Sequence, residues 1–408
     1  MTSIKANSLL LFYAVFLILL VSSLFGKFFP GNIDGFGDEL CCLFVMLLIF
    51  FKAVKRPIVS REMKPVLIFF AIALCFGICG NVFFHYVTSA SCVVRDMFFT
   101  YKPYIFLLFG LLYVKNNNEK FFRFVQNISK IMICLISFMS IIDHFVDLGL
   151  KKNGGFTFFS TGTSSGIAWW LILFVSLVFM GGGKRFVYLF LAAIPLIFID
   201  SGLGNFSLAM TIPVYFLVEK RKKIKMRYLV LIIPIGLYLA GTEINSYLMN
   251  DSAPRYIMHK YAFITAKDCF PFGSGFGTFG GNTAIDYYSP LYYKYGFSNM
   301  YGMSPENPSF LMDSYYPMII AQFGYVGLFA FIFMIVKILR KQMFAIENKK
   351  IRIWLTFLFG VWLAAGLGFG TGSNWGCCVF FLIGVLSKNG SEQNAQNQPR
   401  YNLCTTII

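Results

Sequence analysis

The sequence predicts an all-α polytopic integral membrane protein of about 12 transmembrane helices, with one long external loop between spans 9 and 10. Three observations lead there. Hydrophobic residues are 57% of the 408 and charged residues only 13%, about half the ~25% of an ordinary soluble domain. Fifty residues are Phe and the mean hydropathy is +0.68, more apolar surface than a water-soluble globule of this length can hide. The 35 Lys and Arg fall in short clusters between apolar runs, while alternate connections are poor in them. A soluble enzyme, a disordered chain and a disulfide-stapled secreted domain are excluded.

A span needs about 20 mostly apolar residues. Spans are expected at 8–25, 33–51, 66–84, 93–114, 128–145, 165–180, 186–200, 204–218, 228–241, 315–336, 353–370 and 374–387. The seventh and eighth also read as one re-entrant hairpin turning at Asp200, Ser201, Gly202 and Gly204. The chain thus divides into residues 1–241, with nine spans, a loop at 242–314, three closing spans at 315–387, and a polar Asn- and Gln-rich tail at 388–408 expected to be disordered.

The basic clusters set the orientation. They lie at Lys52 to Lys64, Lys115 to Lys130, Lys184 and Arg185, Lys220 to Arg227, and Lys337 to Arg352. With both termini cytoplasmic, the inner segments hold 26 of the 35 bases and 5 of the 18 acids, as the positive-inside rule requires. The net charge of +17 is therefore read as topology and not as a nucleic-acid surface. The first apolar stretch lacks a small-residue cleavage site and reads as a retained span. Ten Cys give no disulfide framework, since only Cys92 and Cys269 are expected on the external side and sequence does not pair them.

The loop at 242–314 is far longer than the usual connection between packed helices. Its Tyr and Phe content, from Phe270 and Phe272 to Tyr287, Tyr288, Tyr292, Tyr293, Tyr295 and Tyr301, suits sugar stacking or the headgroup interface, or else a purely structural cap.

Charged residues inside a span are functional candidates by default. The fourth span carries Arg95, Asp96 and Lys102 in VVRDMFFTYKPYIF. Arg95 and Lys102 are seven residues apart, so they share a helix face about 10 Å apart along the axis. Two cations so placed suit an anion such as pyrophosphate; the alternative is pairing with acids of other helices. In the loop, Arg255 and His259 stand one helical turn apart, ahead of the Gly-rich run PFGSGFGTFGG. Its Gly275, Gly277 and Gly280 formally match GxGxxG, but with neither strand before nor suitable helix after, they read as turn glycines. Three scattered His give no metal-ligand spacing, so no metal and no cofactor are expected. Among the acids on the outer side, Asp313 enters an apolar span, where it suits a general base or, with Ser314, a helix cap.

Together these residues resemble the bacterial O-antigen and capsule repeat-unit polymerases (Wzy type) and the related O-antigen ligases. The likeness rests on Arg255 leading to PFGSGFGTFGG, on Asp313-Ser314 standing ahead of Gly324-Tyr-Val-Gly, on RDMFFTYKPYIF, and on a long loop after the ninth span. Two departures stand out. Ligases carry a His where Asp313 stands, which tilts the reading to polymerase. The Ser-Arg motif often found near the end of the seventh span reads Asp200-Ser201-Gly202 here, without Arg.

The resemblance implies metal-independent glycosyl transfer between undecaprenyl-pyrophosphate-linked oligosaccharides on the outer face of the inner membrane. It implies Asp313, Arg255 and Glu306 as catalytic, and Arg95, Lys102, His259, Gly275 and Gly277 as substrate-binding. Expected partners are that lipid-linked oligosaccharide, the bilayer, a chain-length regulator and a flippase, and no nucleic acid.

Overall fold

The computed structural model describes residues 3–28, 37–55, 63–113, 118–152, 155–160, 164–182, 185–199, 202–219, 252–312, 315–344, 346, 348–367 and 373–387. The ninth expected span, the Lys220 to Arg227 cluster, the Asp200-Ser201 turn, Asp313 and the tail lie outside these residues.

The described chain is mostly helical. The first helices are α1 (Ser3–Leu24), α2 (Gly37–Lys55), α3 (Lys64–Phe84), α4 (Ala90–Tyr113) and α5 (Asn118–Val146). A two-stranded hairpin, Lys151–Lys152 with Gly155–Phe156, precedes α6 (Ser164–Met180), α7 (Phe186–Leu196), α8 (Gly202–Ala209) and α9 (Thr211–Glu219). After the undescribed segment come α10 (Pro254–Asp268), α11 (Gly281–Asp286) and α12 (Pro290–Lys294), then α13 (Tyr315–Lys337), α14 (Lys349–Ala365) and α15 (Asn374–Ser387).

Among the described residues, three helices are long and apolar enough to cross a membrane: Lys64–Phe84, Glu119–Val146 and Tyr315–Met343. Shorter apolar helices accompany them, including Leu9–Leu24, Ser164–Met180 and Asn374–Ser387. α4 is as long as the first of these but carries Arg95, Asp96 and Lys102. It is also the centre of the bundle, with residues 100–111 buried throughout.

The tightest packing is between α4 and α15, and small residues permit it. A Cβ on Gly384 would lie 2.5 Å from the Leu107 carbonyl oxygen, and one on Gly110 2.9 Å from that of Phe381. Between apolar helices in an apolar solvent, close backbone approach replaces hydrophobic collapse as the source of association. Aromatic rings fill the space around the crossing: Phe12, Phe109, Phe121 and Phe381 meet edge-on or offset at 5.5 to 5.8 Å.

Residues 252–312 form a second, smaller core. Met258 and Ala262 of α10, Phe279, Tyr292, Phe297 and Leu311 pack with Ile320 and Ala321 of α13. The expectation that this aromatic segment folds is met by short helices and turns whose ring stacking is internal, as in Tyr292 on Phe297 at 5.7 Å. Tyr287, Tyr293 and Tyr301 remain exposed.

Gly384→Ala places a methyl against backbone that cannot rotate away. Overpacking of this kind costs ~1–3 kcal/mol, so the variant is expected to unfold several degrees below the parent in a detergent melt, whereas Gly360→Ala, with open space at its Cβ, is expected to melt with it.

Candidate functional site: a glycine-rich turn in a broken helix

α13 is interrupted. Gly324 has φ 63° and ψ −165°, so the helix stops and restarts one residue later. The break deprives the carbonyls just before it of their intrahelical donors, and buried carbonyls need partners. The Gly-rich turn supplies them. The Ser274 N–H donates to the Ala321 carbonyl at 2.8 Å and the Gly275 N–H to that of Gln322 at 3.0 Å. The Ser274 hydroxyl adds a bond to Ala321 O at 3.0 Å, and the Gln322 amide returns one to Phe279 O at 2.9 Å.

Two other helices hold the same turn. Asn81 of α3 reads the backbone of Phe276 on both sides, accepting from its N–H and donating to its carbonyl, each at 2.9 Å. Asp96 of α4, 1% exposed, accepts the Gly277 N–H at 2.9 Å. The Phe276 ring enters the bundle core edge-on to Phe323 at 5.0 Å. The glycines follow from this closeness. A Cβ on Gly275, at φ 95°, would lie 2.5 Å from Asn81 N, and one on Gly277, at φ 72°, 2.6 Å from Cys92 Sγ. Left-handed backbone and direct helix contact both require Gly here.

The two cations of α4 lie against the same Phe99 ring, 5.6 and 5.9 Å from its centroid, and pair with different acids. Arg95 forms a half-exposed ion pair with Asp286, at the end of α11. Lys102, 2% exposed, donates to Asp38 at the start of α2 and lies 3.4 Å from Asn374 Oδ1 at the start of α15. Of the two sequence alternatives, pairing with acids of other elements is the one the geometry shows for the resting molecule. Asn374 continues the polar chain by donating to Ser22 of α1 at 3.0 Å.

α10 runs into the turn without a linker, which puts Arg255 and His259 about 21 and 15 Å along the axis from residue 269. Both are half-buried. The His259 Nδ1 meets the Arg255 carbonyl at 2.8 Å. A carbonyl only accepts, so this nitrogen carries the proton and the neutral ring keeps its lone pair on Nε2. Burial pulls the His259 pKa below its ordinary value, against the opposing effect of the Arg255 carbonyl. Glu306 is exposed in the Ser304–Asn307 turn. Nearby, burial foremost, then Tyr293 and Glu306, push the Tyr288 phenol up to about 12, and it donates to Met303 O at 2.8 Å.

Asp313 lies outside the described residues, but its neighbours place the chain on either side. Leu311 is buried in the smaller core. The Tyr315 N–H donates to Gly366 O at 2.9 Å, and its phenol lies 3.1 Å from that of Tyr104 on α4. Cys92 and Cys269 are both free and buried, and burial raises the Cys269 thiol to about 11. Among the described residues no three His, Cys, Asp or Glu side chains gather as metal ligands would.

The structure thus gathers Gly275, Gly277 and the α4 motif into one unit, with α10 leading in. It pairs Arg95 and Lys102 with different acids and leaves Glu306 at the surface. Asn81 and Gln322 were missed in the sequence. Their signal was there: each is a lone amide in an otherwise apolar helix, where polar side chains ordinarily have a specific partner. In comparisons with known proteins, no family model and no curated sequence matches the chain.

His259 gives a pH signature. Its depressed folded pKa means the unfolded chain takes up the proton first as pH falls. Its contribution is therefore complete above the unfolded value of about 6.5 and is lost as pH falls through the folded one. Between pH 7.5 and 5, the parent is expected to lose more thermal stability than His259→Gln; parallel losses would show that the imidazole is not held neutral.

Proposed function

We propose that the protein is a repeat-unit polymerase of the Wzy type. On this reading the chain has about 12 spans, both termini in the cytoplasm, and residues 242–314 on the outer face of the bacterial inner membrane. Its substrate is an oligosaccharide on undecaprenyl pyrophosphate. The growing chain leaves its lipid as the bond from its anomeric carbon to the pyrophosphate oxygen breaks. A new glycosidic bond forms to a hydroxyl of the next unit, and that hydroxyl's proton passes to a base.

The observation that carries the reading is the joining of its motifs: the Gly-rich turn, which directly follows the Arg255 helix, is tied to α3, the α4 motif and α13 by hydrogen bonds at Asn81, Asp96 and Gln322. Positive charge for the leaving pyrophosphate is assigned to Arg255, with Arg95 and Lys102 released from Asp286 and Asp38 as substrate enters. Asp313 or Glu306 is assigned as the base and His259 to substrate binding, and exposed Tyr293 and Tyr301 offer faces for sugars. A chain-length regulator and a flippase would work alongside.

A second reading has one observation in its favour. Discontinuous helices mark many transporters, and α13 is discontinuous at Gly324. A ligase, which transfers finished polymer to an acceptor, is the nearest enzymatic alternative.

The test is deletion of the gene in its host, with the surface glycan separated by size. The polymerase reading predicts a single repeat unit on each acceptor and no ladder. Full-length polymer stranded on its carrier would instead mean a ligase, and unpolymerised units held on the cytoplasmic face a transporter. Arg255→Ala, in protein that still inserts, is expected to reduce polymer by at least tenfold; unchanged length and yield would remove Arg255 from the site.

A further inference from the structure

α5 is 29 residues long, and α7, which packs along it, is 11. The shorter helix leaves part of α5 uncovered, and a groove of about 690 Å³ lies between them. The two run in the same direction: Ser137 Oγ donates to Leu191 O at 2.7 Å, and seven residues further on the His144 ring meets that of Phe198 at 4.8 Å. Tyr188 is therefore level with Cys134, and helical side chains lean toward the N-terminal end, here the end of Lys130.

The groove is amphipathic along its length. Asn127, Lys130 and Tyr188 line it with Ile131, Cys134 and Phe138, all of the α5 members lying on one face at three- and four-residue spacing. Lys130 is the last charge on α5 before an uncharged run from Ile131 to Ile142. It therefore stands where polar helix gives way to hydrocarbon. Its Nζ donates to Asn127 Oδ1 at 3.2 Å, and among the described residues it forms no ion pair. From Lys130 to Phe138 the wall extends about 12 Å, the reach of a substantial part of an acyl chain.

We propose that this groove is a binding site for a phospholipid with an anionic headgroup, its phosphate against Lys130 and one acyl chain along Ile131, Cys134 and Phe138. The argument is one of charge and shape. A lysine at the hydrocarbon boundary with no carboxylate partner among the described residues offers its positive charge to a ligand, and basic pockets between membrane helices recognise anionic headgroups. A zwitterionic headgroup brings its own ammonium and leaves that charge unchanged. The Asn127 amide and Tyr188 phenol add hydrogen bonds at the same end. The groove shares no lining residue with the Gly-rich turn and does not rest on the polymerase reading.

The test uses the full-length protein in mild detergent with phosphatidylglycerol or phosphatidylcholine of identical chains, read by native mass spectrometry. Phosphatidylglycerol is expected to be retained about fivefold better, the scale of one lysine acting on an anionic lipid. Lys130→Gln should bring retention down to the phosphatidylcholine level and Lys130→Arg should restore it. Location is read from maleimide labelling: phosphatidylglycerol should slow Cys134 and leave Cys75, exposed on α3, unchanged. Equal retention of the two lipids, undiminished retention by Lys130→Gln, or equal slowing of both thiols would overturn the proposal.

Discussion

The structure depends on a repaired helix. A break inside a membrane helix exposes backbone carbonyls to a solvent that cannot hydrogen-bond them, at a cost of several kcal/mol for each one left bare. At Gly324 that cost is removed by a segment distant in sequence, whose Ser274 and Gly275 amides cap Ala321 and Gln322. Everything in the smaller core follows. The turn must be Gly-rich to reach between α3, α4 and α13, and α10 must end where the turn begins. Asp96 must be a carboxylate or its equivalent to accept the Gly277 amide. Irregular backbone inside an apolar bundle is tolerated where protein encloses it, and here it is enclosed by residues from three helices.

The same constraint organises the charges. α4 carries an acid and two bases through the centre of the bundle, and each has a separate task at rest. Asp96 holds the turn, Arg95 reaches the end of α11, and Lys102 joins α1, α2 and α15 through Asp38, Asn374 and Ser22. The pair at Arg95 is half exposed, so it contributes little to stability and is readily exchanged for another anion. Lys102 is buried, and removing Asp38 alone would strand its charge. Under the proposed function these are two different degrees of readiness for a pyrophosphate, one open and one guarded.

Much of the helical framework was legible in the sequence because apolar runs have only one way to satisfy their backbone in lipid. The helices α3, α4, α6 and α15 fall within a few residues of the expected spans. The region expected as one span at 204–218 is two short helices, α8 and α9, parted near Met210, where Pro213 lacks the N–H that would bond the Ala209 carbonyl. The site was legible in its parts and not in its assembly. The glycines of GxGxxG are turn glycines, with left-handed φ at Gly275, Gly277 and Gly280. Asn81, Asp96 and Gln322 each stand out as polar side chains in apolar helices, but their meeting with the turn was not legible, because they are distant in sequence and bond its backbone. The shared face of Arg95 and Lys102 was legible, and both lie against the Phe99 ring; their partners were not, because Asp38 and Asp286 come from other elements.

The most direct measurement is hydrogen exchange of the amides of residues 273–277 in the intact protein, compared with Asp96→Ala. Capping of the broken helix predicts that Ser274, Gly275 and Gly277 exchange as slowly as the interior of α3, though they belong to no helix. It further predicts that removing the Asp96 carboxylate accelerates Gly277 first. Exchange of these amides at the rate of the exposed turn around Asn307 would contradict the account, since the turn would then lie free of α13 and the helix break would be left without its partners.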